Sequence, residues 1–272
     1  MLITMPSGFA GEIRGLKVRD LQQIADPSMA RGGKALDVML SAFSAITALG
    51  PYEKKWAIGG VPKWDDALQG DVFAALIDIR AATWGAEYEF RVRCQGCGEG
   101  YDWELDLRDI PRKPYPETTI EALRQGEPEF TTEGPGGEPV RFKLTYRRDE
   151  KIQEERRRRA GGKFGIADAL GMRLVSVEGV KDVRLKDWIL ELEAAELKAL
   201  VERMQEHEGG VDTDIETVCT FCNWQQWVSL PFDKGFYYPT KKKPMTSEPA
   251  PAAVVMQPGT PLAPSSPAKR TG

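Results

Sequence analysis

Apolar and polar residues alternate in several short runs of this chain. Tyr88, Phe90 and Val92 are spaced by two, and so are Tyr101, Trp103, Leu105 and Leu107. That period belongs to strands with one buried face, and the two runs are close enough to pair as a hairpin. Ile215, Thr217 and then Trp227 frame a second hairpin. Val140, Phe142, Leu144 and Tyr146 alternate with Arg141, Lys143 and Thr145. An extended stretch over 127–132 precedes that run, and Gly134-Pro135-Gly136-Gly137 joins the two as a third hairpin. Alternation over 12–18 and an apolar run over 172–177 read as further strands.

Other stretches carry helical spacing. A short helix is predicted over 18–24. A longer one is predicted over 34–49, where Leu36, Met39, Leu40, Phe43, Ile46 and Thr47 recur at three- and four-residue steps before Gly50-Pro51. Residues 65–70 read as a helical turn or two. Asp71 would cap a strongly apolar core helix over 72–84, on which Asp78 and Arg80 read as an ion pair or a solvated edge. Further helices are expected over 119–125, 147–160, 166–170, 185–192 and 194–207. From 241 the chain is rich in Pro, Ala, Ser and Thr. It cannot bury enough apolar area to offset its ordering entropy, so disorder is expected over 241–272.

Four cysteines order these elements. They form two pairs, Cys94-Gln95-Gly96-Cys97 and Cys219-Thr220-Phe221-Cys222, and the chain has no other cysteine. Each C-x-x-C turn sets two thiolates about one tetrahedral edge apart, as a zinc knuckle requires. The next residue of such a turn takes a left-handed backbone, which Gly98 and Asn223 tolerate. Two knuckles at hairpin tips give a closed four-thiolate site, with Cys94, Cys97, Cys219 and Cys222 as ligands of a structural Zn2+. Such an ion adds about 10–16 kcal/mol of apparent binding energy in small finger peptides. A redox-active dithiol would place C-x-x-C at a helix start, whereas strand-like residues follow both pairs here. Ribbon knuckles are normally a few tens of residues apart at most, so residues 98–218 must contain an insertion that returns to its own base. The fold class read from this is α+β: a split four-cysteine zinc ribbon (87–107 and 214–232), a helical N-terminal part (1–86), a long α+β insertion (108–213) and the tail.

Composition narrows the function. Of 272 residues, 41% are hydrophobic and 29% charged, as in ordinary globular proteins, and the net charge of −4 gives no general attraction to nucleic acid. No apolar run reaches the roughly 20 residues of a membrane span. The first residues lack a basic region and an apolar core, so no secretory leader is expected, and the paired thiols suit a reducing cytosol. The single histidine, His207, reads as a cation at a helix C-terminus. The run Arg156-Arg157-Arg158-Arg159 suggests phosphate binding, but Glu154 and Glu155 are placed to pair with it along a solvated helix. Four cysteines close a zinc site and leave no position for water. The zinc-deaminase pattern, a Gly-x-Ser-x-Gly elbow, a phosphate loop and a dinucleotide fingerprint are all missing. No catalytic or cofactor-binding residue is therefore assigned, and a non-enzymatic protein is expected. Trp56, Trp64, Trp224, Trp227 and Tyr237-Tyr238 could anchor an interface, although a chain with seven tryptophans is expected to bury most of them.

Several stretches together resemble the T4-type bacteriophage baseplate protein family. They run from Pro6-Ser7-Gly8 to Arg14-Gly15-Leu16-Lys17-Val18, then Gly50-Pro51-Tyr52, Trp64 to Gly70-Asp71, Ile79-Arg80 and Thr83-Trp84-Gly85. The first cysteine pair follows, then Gly209-Gly210-Val211-Asp212-Thr213, the second cysteine pair and Leu230-Pro231-Phe232. The resemblance spans about residues 5–240. It implies a structural or assembly protein of the tail baseplate hub, whose partners are other hub proteins and the tape measure protein. It implies a place in the host cytoplasm during assembly, and in the virion tail baseplate if the protein is a structural component and does not leave after assembly. From hydropathy and charge, neither a membrane nor nucleic acid is expected as a partner. The alternative is a zinc-ribbon nucleic-acid-binding protein using Arg156–Arg159 and Lys241–Lys243. A dithiol redox protein is the third reading.

Overall fold

The N-terminal segment folds around a sheet. In a computed structural model that describes residues 1–26, 34–161, 163–231 and 236, strands β1 (Leu2–Thr4), β2 (Ala10–Ile13) and β3 (Phe43–Ala48) pair antiparallel in that order. Helices α1 (Val18–Ala25) and α2 (Lys34–Leu40) fall between β2 and β3 in sequence. The single helix expected over 34–49 is thus a helix followed by a strand, and 1–86 is not a helical region alone. The cause is a pair of register shifts. Ala10 and Gly11 oppose Ala48 and Ile46, and Glu12 and Ile13 oppose Ala45 and Phe43. Each shift inserts one extra β3 residue, Thr47 and then Ser44, and both are exposed. Phe43 and Ile46 therefore both face the core although they are three apart, a spacing that imitates a helix.

Helix α3 (Gln69–Trp84) runs through the core and is buried on nearly all sides, at Val72, Ala74, Ala75, Leu76, Ile77 and Ile79. It starts earlier than its apolar pattern. Asp71 is not its cap but lies inside its first turn. The Gln69 amide donates to the Thr145 carbonyl at 2.9 Å, so neighbouring chain satisfies an amide that a cap would otherwise serve. The Asp71 carboxylate instead accepts the Ser7 amide at 3.0 Å, the Ser7 hydroxyl at 2.6 Å and the Tyr52 hydroxyl at 2.6 Å, and the Tyr52 oxygen accepts the Leu68 amide at 2.9 Å. Further along α3, Asp78 takes a two-pronged pair from Arg112 at 2.6 and 2.9 Å. Arg80 is buried, donates to the Gly85 carbonyl at 2.9 Å and lies over the Tyr88 ring.

The next strands are β4 (Glu87–Arg93) and β5 (Gly100–Asp106), an antiparallel pair on which Tyr88, Phe90 and Val92 face inward as their spacing predicts. Then come β6 (Arg112–Lys113) and α4 (Glu117–Gln125), with Gly126 as its C-cap. The expected hairpin is β7 (Glu129–Glu133) with β8 (Pro139–Lys143), and β9 (Leu174–Val177) extends it to three strands. Between β8 and β9 lie α5 (Arg147–Arg159) and α6 (Ile166–Gly171); after β9 come α7 (Leu185–Glu191) and α8 (Ala194–Gln205). β10 (Gly210–Val211) pairs with β6, and β11 (Asp214–Val218) pairs with β12 (Gln225–Ser229). The protein is thus α+β, and the buried apolar residues of the first sheet, α3, both cysteine hairpins and the β7–β9 sheet form one core. Tyr237, Tyr238 and the tail expected over 241–272 lie outside the described residues.

Burial pushes the Asp71 carboxyl up to about 6, against the lowering effect of its hydrogen bonds from Ser7 and Tyr52. The folded pKa therefore lies above the unfolded one, and the fold favours the neutral acid. This contribution is complete below about pH 4 and is lost as pH rises through about 6. A displacement of about two pH units corresponds to about 3 kcal/mol. In urea titrations, the stability of the wild type relative to Asp71→Asn is expected to fall by about 3 kcal/mol between about pH 4 and about pH 7. A pH-independent difference would refute this.

Candidate metal centre

Each cysteine pair sits where one strand of a hairpin turns into the next. In the first, the Cys94 amide donates to the Glu99 carbonyl at 2.8 Å and the Gly98 amide to the Cys94 carbonyl at 3.0 Å. In the second, Cys219 donates to Trp224 at 2.9 Å and Asn223 to Cys219 at 2.9 Å. The two turns are the same device written twice. Gly98 has φ +78°, and Asn223, at φ +58°, is the one non-glycine residue with positive φ among the described residues. Backbone amides point at the leading sulfur of each pair. Gly96 and Cys97 approach Cys94 Sγ at 3.3 and 3.5 Å, and Phe221 approaches Cys219 Sγ at 3.4 Å.

The fold brings all four predicted ligands together. Their sulfurs lie within 4.8 Å of one another, with Cys94 to Cys222 at 3.6 Å and Cys97 to Cys219 at 3.8 Å. A regular tetrahedron with metal–sulfur bonds of about 2.3 Å has edges of about 3.8 Å. Cys94 and Cys219 are buried, and Cys97 and Cys222 are exposed. Four sulfurs at these separations, two buried and two exposed, are compatible with a metal site.

Crowding divides the acidities of the sulfurs. Burial works against the Cys94 thiolate, but the amides of Cys97 and Gly96 outweigh it and bring the thiol down to about 6. At Cys222 the Trp224 amide lowers the value, yet burial and the other three sulfurs push it up to about 12. Without a cation, the cluster resists holding several thiolates at once; a divalent cation would supply the compensating charge.

Polar ties lock the two hairpins together around the sulfurs. Gln226, buried on β12, accepts the Gln95 amide at 2.8 Å and donates to the Arg93 carbonyl at 3.0 Å. Tyr101 and Thr217 share a buried hydrogen bond at 2.8 Å, and Tyr88 donates to the Pro231 carbonyl at 3.1 Å. Trp224 lies against Gly96, where a Cβ would meet its ring at 3.0 Å. Sequence reasoning singled out Thr217 but not Gln226. The available signal was its pairing: Gln226 lies opposite Thr217, so two polar residues share an inward position.

Other residues considered in the sequence lie elsewhere. His207 packs against the Phe130 and Phe142 rings of the β7–β9 sheet and is not in the sulfur cluster. On α5, Arg157 pairs with Glu154, and Arg158 and Arg159 pair with Glu155. Trp56 and Trp64 are buried, so neither is a surface anchor, whereas Trp224 and Trp227 are exposed. Among the described residues, no helix is long and apolar enough to cross a membrane. Compared with protein-family models, curated proteins and solved structures, the chain matches none.

Replacing Gln226 with Ala leaves the Gln95 amide and the Arg93 carbonyl unpaired beside the sulfurs. It is expected to cost about 1–3 kcal/mol of stability and about 10–100-fold in metal affinity. Competition with a chromogenic chelator measures the second. Unchanged affinity would show that the knuckles are held by the sulfurs alone.

Proposed function

We propose that this chain is a non-enzymatic structural or assembly protein of a phage tail baseplate hub, and that Cys94, Cys97, Cys219 and Cys222 hold a structural zinc ion in a split ribbon. Zinc is the ion that suits four thiolates at tetrahedral edges, and four protein ligands fill its coordination. The ion would tie the start of the insertion to its end.

The hub reading rests on the resemblance, and residues from several of its stretches meet in the fold. Ser7, Tyr52 and Asp71 share one buried hydrogen-bond network. The Pro6 carbonyl accepts the Tyr115 amide at 3.1 Å, and Gly70 packs against Gly209 and Gly210 so closely that a Cβ would lie 2.5 Å from the Gly209 carbonyl oxygen. Motifs scattered over more than half the chain thus meet in one buried junction at the N-terminal end of α3. A rigid scaffold with exposed aromatic anchors suits a subunit of a large assembly. Hub proteins and the tape measure protein would be its partners, in the host cytoplasm during assembly and in the tail baseplate. A nucleic-acid-binding zinc ribbon is the second reading, and the pairing of Arg157, Arg158 and Arg159 within α5 counts against it.

Quantitative mass spectrometry of purified virions and of crude lysate from the producing host tests the proposal. A fixed small copy number per tail is expected for a structural component. Abundance in lysate with absence from particles is expected for an assembly factor. Absence from every tail intermediate, with tails assembling normally without the protein, would sink the reading. Chelation is expected to lower the thermal midpoint of the whole chain, as followed by circular dichroism with and without added zinc.

A further inference from the structure

Two sulfur contacts join the cysteine hairpins. Cys222 Sγ lies 3.6 Å from Cys94 Sγ, and Cys97 Sγ lies 3.8 Å from Cys219 Sγ. In each contact an exposed sulfur of one hairpin meets a buried sulfur of the other. The hairpins are also tied without the sulfurs, by Gln226 on the Gln95 amide and the Arg93 carbonyl and by Tyr101 on Thr217. Turning either contact into a disulfide of about 2.05 Å shortens it by about 1.5 Å. An oxidant in solvent reaches Cys97 and Cys222 first, and each already has a resolving sulfur beside it.

We propose that the cluster is a redox switch, which rests on its reading as a zinc site. In reducing surroundings the four sulfurs hold zinc. In oxidising surroundings they form two disulfides between the hairpins, Cys94–Cys222 and Cys97–Cys219. The co-reactant is hydrogen peroxide. The exposed thiolate attacks it; an S–O bond forms, the O–O bond breaks, and hydroxide leaves a sulfenic acid behind. The buried thiolate facing it then attacks that sulfur; an S–S bond forms, the S–O bond breaks, and a second hydroxide leaves. Each sulfur pair gives two electrons to one peroxide. Four thiolates and two peroxides thus become two disulfides and four hydroxides, and the zinc ion, without ligands, departs. Both bonds keep closed the loop that the metal had closed. A hub protein made in a reducing cytosol and carried outside the cell would keep its hairpins joined in both places.

Hydrogen peroxide added to the zinc-loaded full chain tests this. A chromogenic chelator reads zinc release, and mass spectrometry of tryptic digests reads the pairing. Release of the zinc is expected together with the consumption of two peroxides per chain. The tryptic peptides 94–108 and 204–234 each carry one cysteine pair, so they are expected to be joined by two disulfides. Fragmentation of the joined peptides is expected to assign Cys94 to Cys222 and Cys97 to Cys219. The oxidised chain is expected to melt about 10 °C above the reduced, metal-free chain. Dithiothreitol with added zinc is expected to restore the zinc-loaded form. Four results in a chain that began with zinc would overturn the switch and leave the metal reading standing. They are retention of zinc under peroxide, the bonds Cys94–Cys97 and Cys219–Cys222, disulfides between copies, and sulfonic acids in place of disulfides. A chain that holds no zinc under reductant would overturn both.

Discussion

Residues 98–218 leave the first cysteine pair and return to the second, and closing that loop is the constraint on which the rest depends. Loop closure over this length costs on the order of 4 kcal/mol in chain entropy. The fold meets it at two levels. The sulfurs of Cys94 and Cys222 come to 3.6 Å at one level. At the other, β6 pairs with β10, and the Asp212 amide donates to the Pro111 carbonyl at 2.9 Å. The backbone ladder sets these two short strands in register, 15 residues after Cys97 and eight before Cys219. A metal there would act on ends that the chain has already brought near one another.

The second organising feature is the polar junction inside the N-terminal end of α3. A carboxylate without a cation beside it is costly to bury. Asp71 accepts three hydrogen bonds, two from Ser7 and one from Tyr52, and the Tyr52 hydroxyl in turn receives the Leu68 amide. The network fixes three remote segments relative to one another. Gly70 and Gly209 are required beside it because backbone from the two sides approaches too closely for a side chain; at Gly209 a Cβ would lie 2.5 Å from the Tyr115 nitrogen. The junction connects to the first cysteine hairpin through α3, which near its C-terminal end holds Arg80 against Tyr88 on β4.

These two features divide the molecule by chemistry. The α3 junction is enclosed, polar and fully bonded, which suits a role in rigidity. The sulfur cluster is half open, with Cys97 and Cys222 at the surface and Phe221 and Trp224 exposed on the second turn.

The sequence by itself determined the local devices. C-x-x-C followed by Gly98 or Asn223 specifies a turn whose backbone needs are set within five residues. The two-residue spacing of Tyr88, Phe90 and Val92 specifies the buried face of β4 in the same way. The meeting of the two pairs could be inferred because a half-filled set of thiolates is chemically incomplete. Only the tertiary structure decided the rest. Phe43 and Ile46 satisfy a helical period and a bulged strand equally well, and β2 resolved the choice by pairing. Asp71 reads as a cap until Ser7 and Tyr52, both remote in sequence, arrive to bond it. Gln226 is one amide among many until the first knuckle presents the Gln95 N–H and the Arg93 carbonyl. In each case the deciding partner lies tens of residues away, and nothing in the local pattern encodes which distant group will be there.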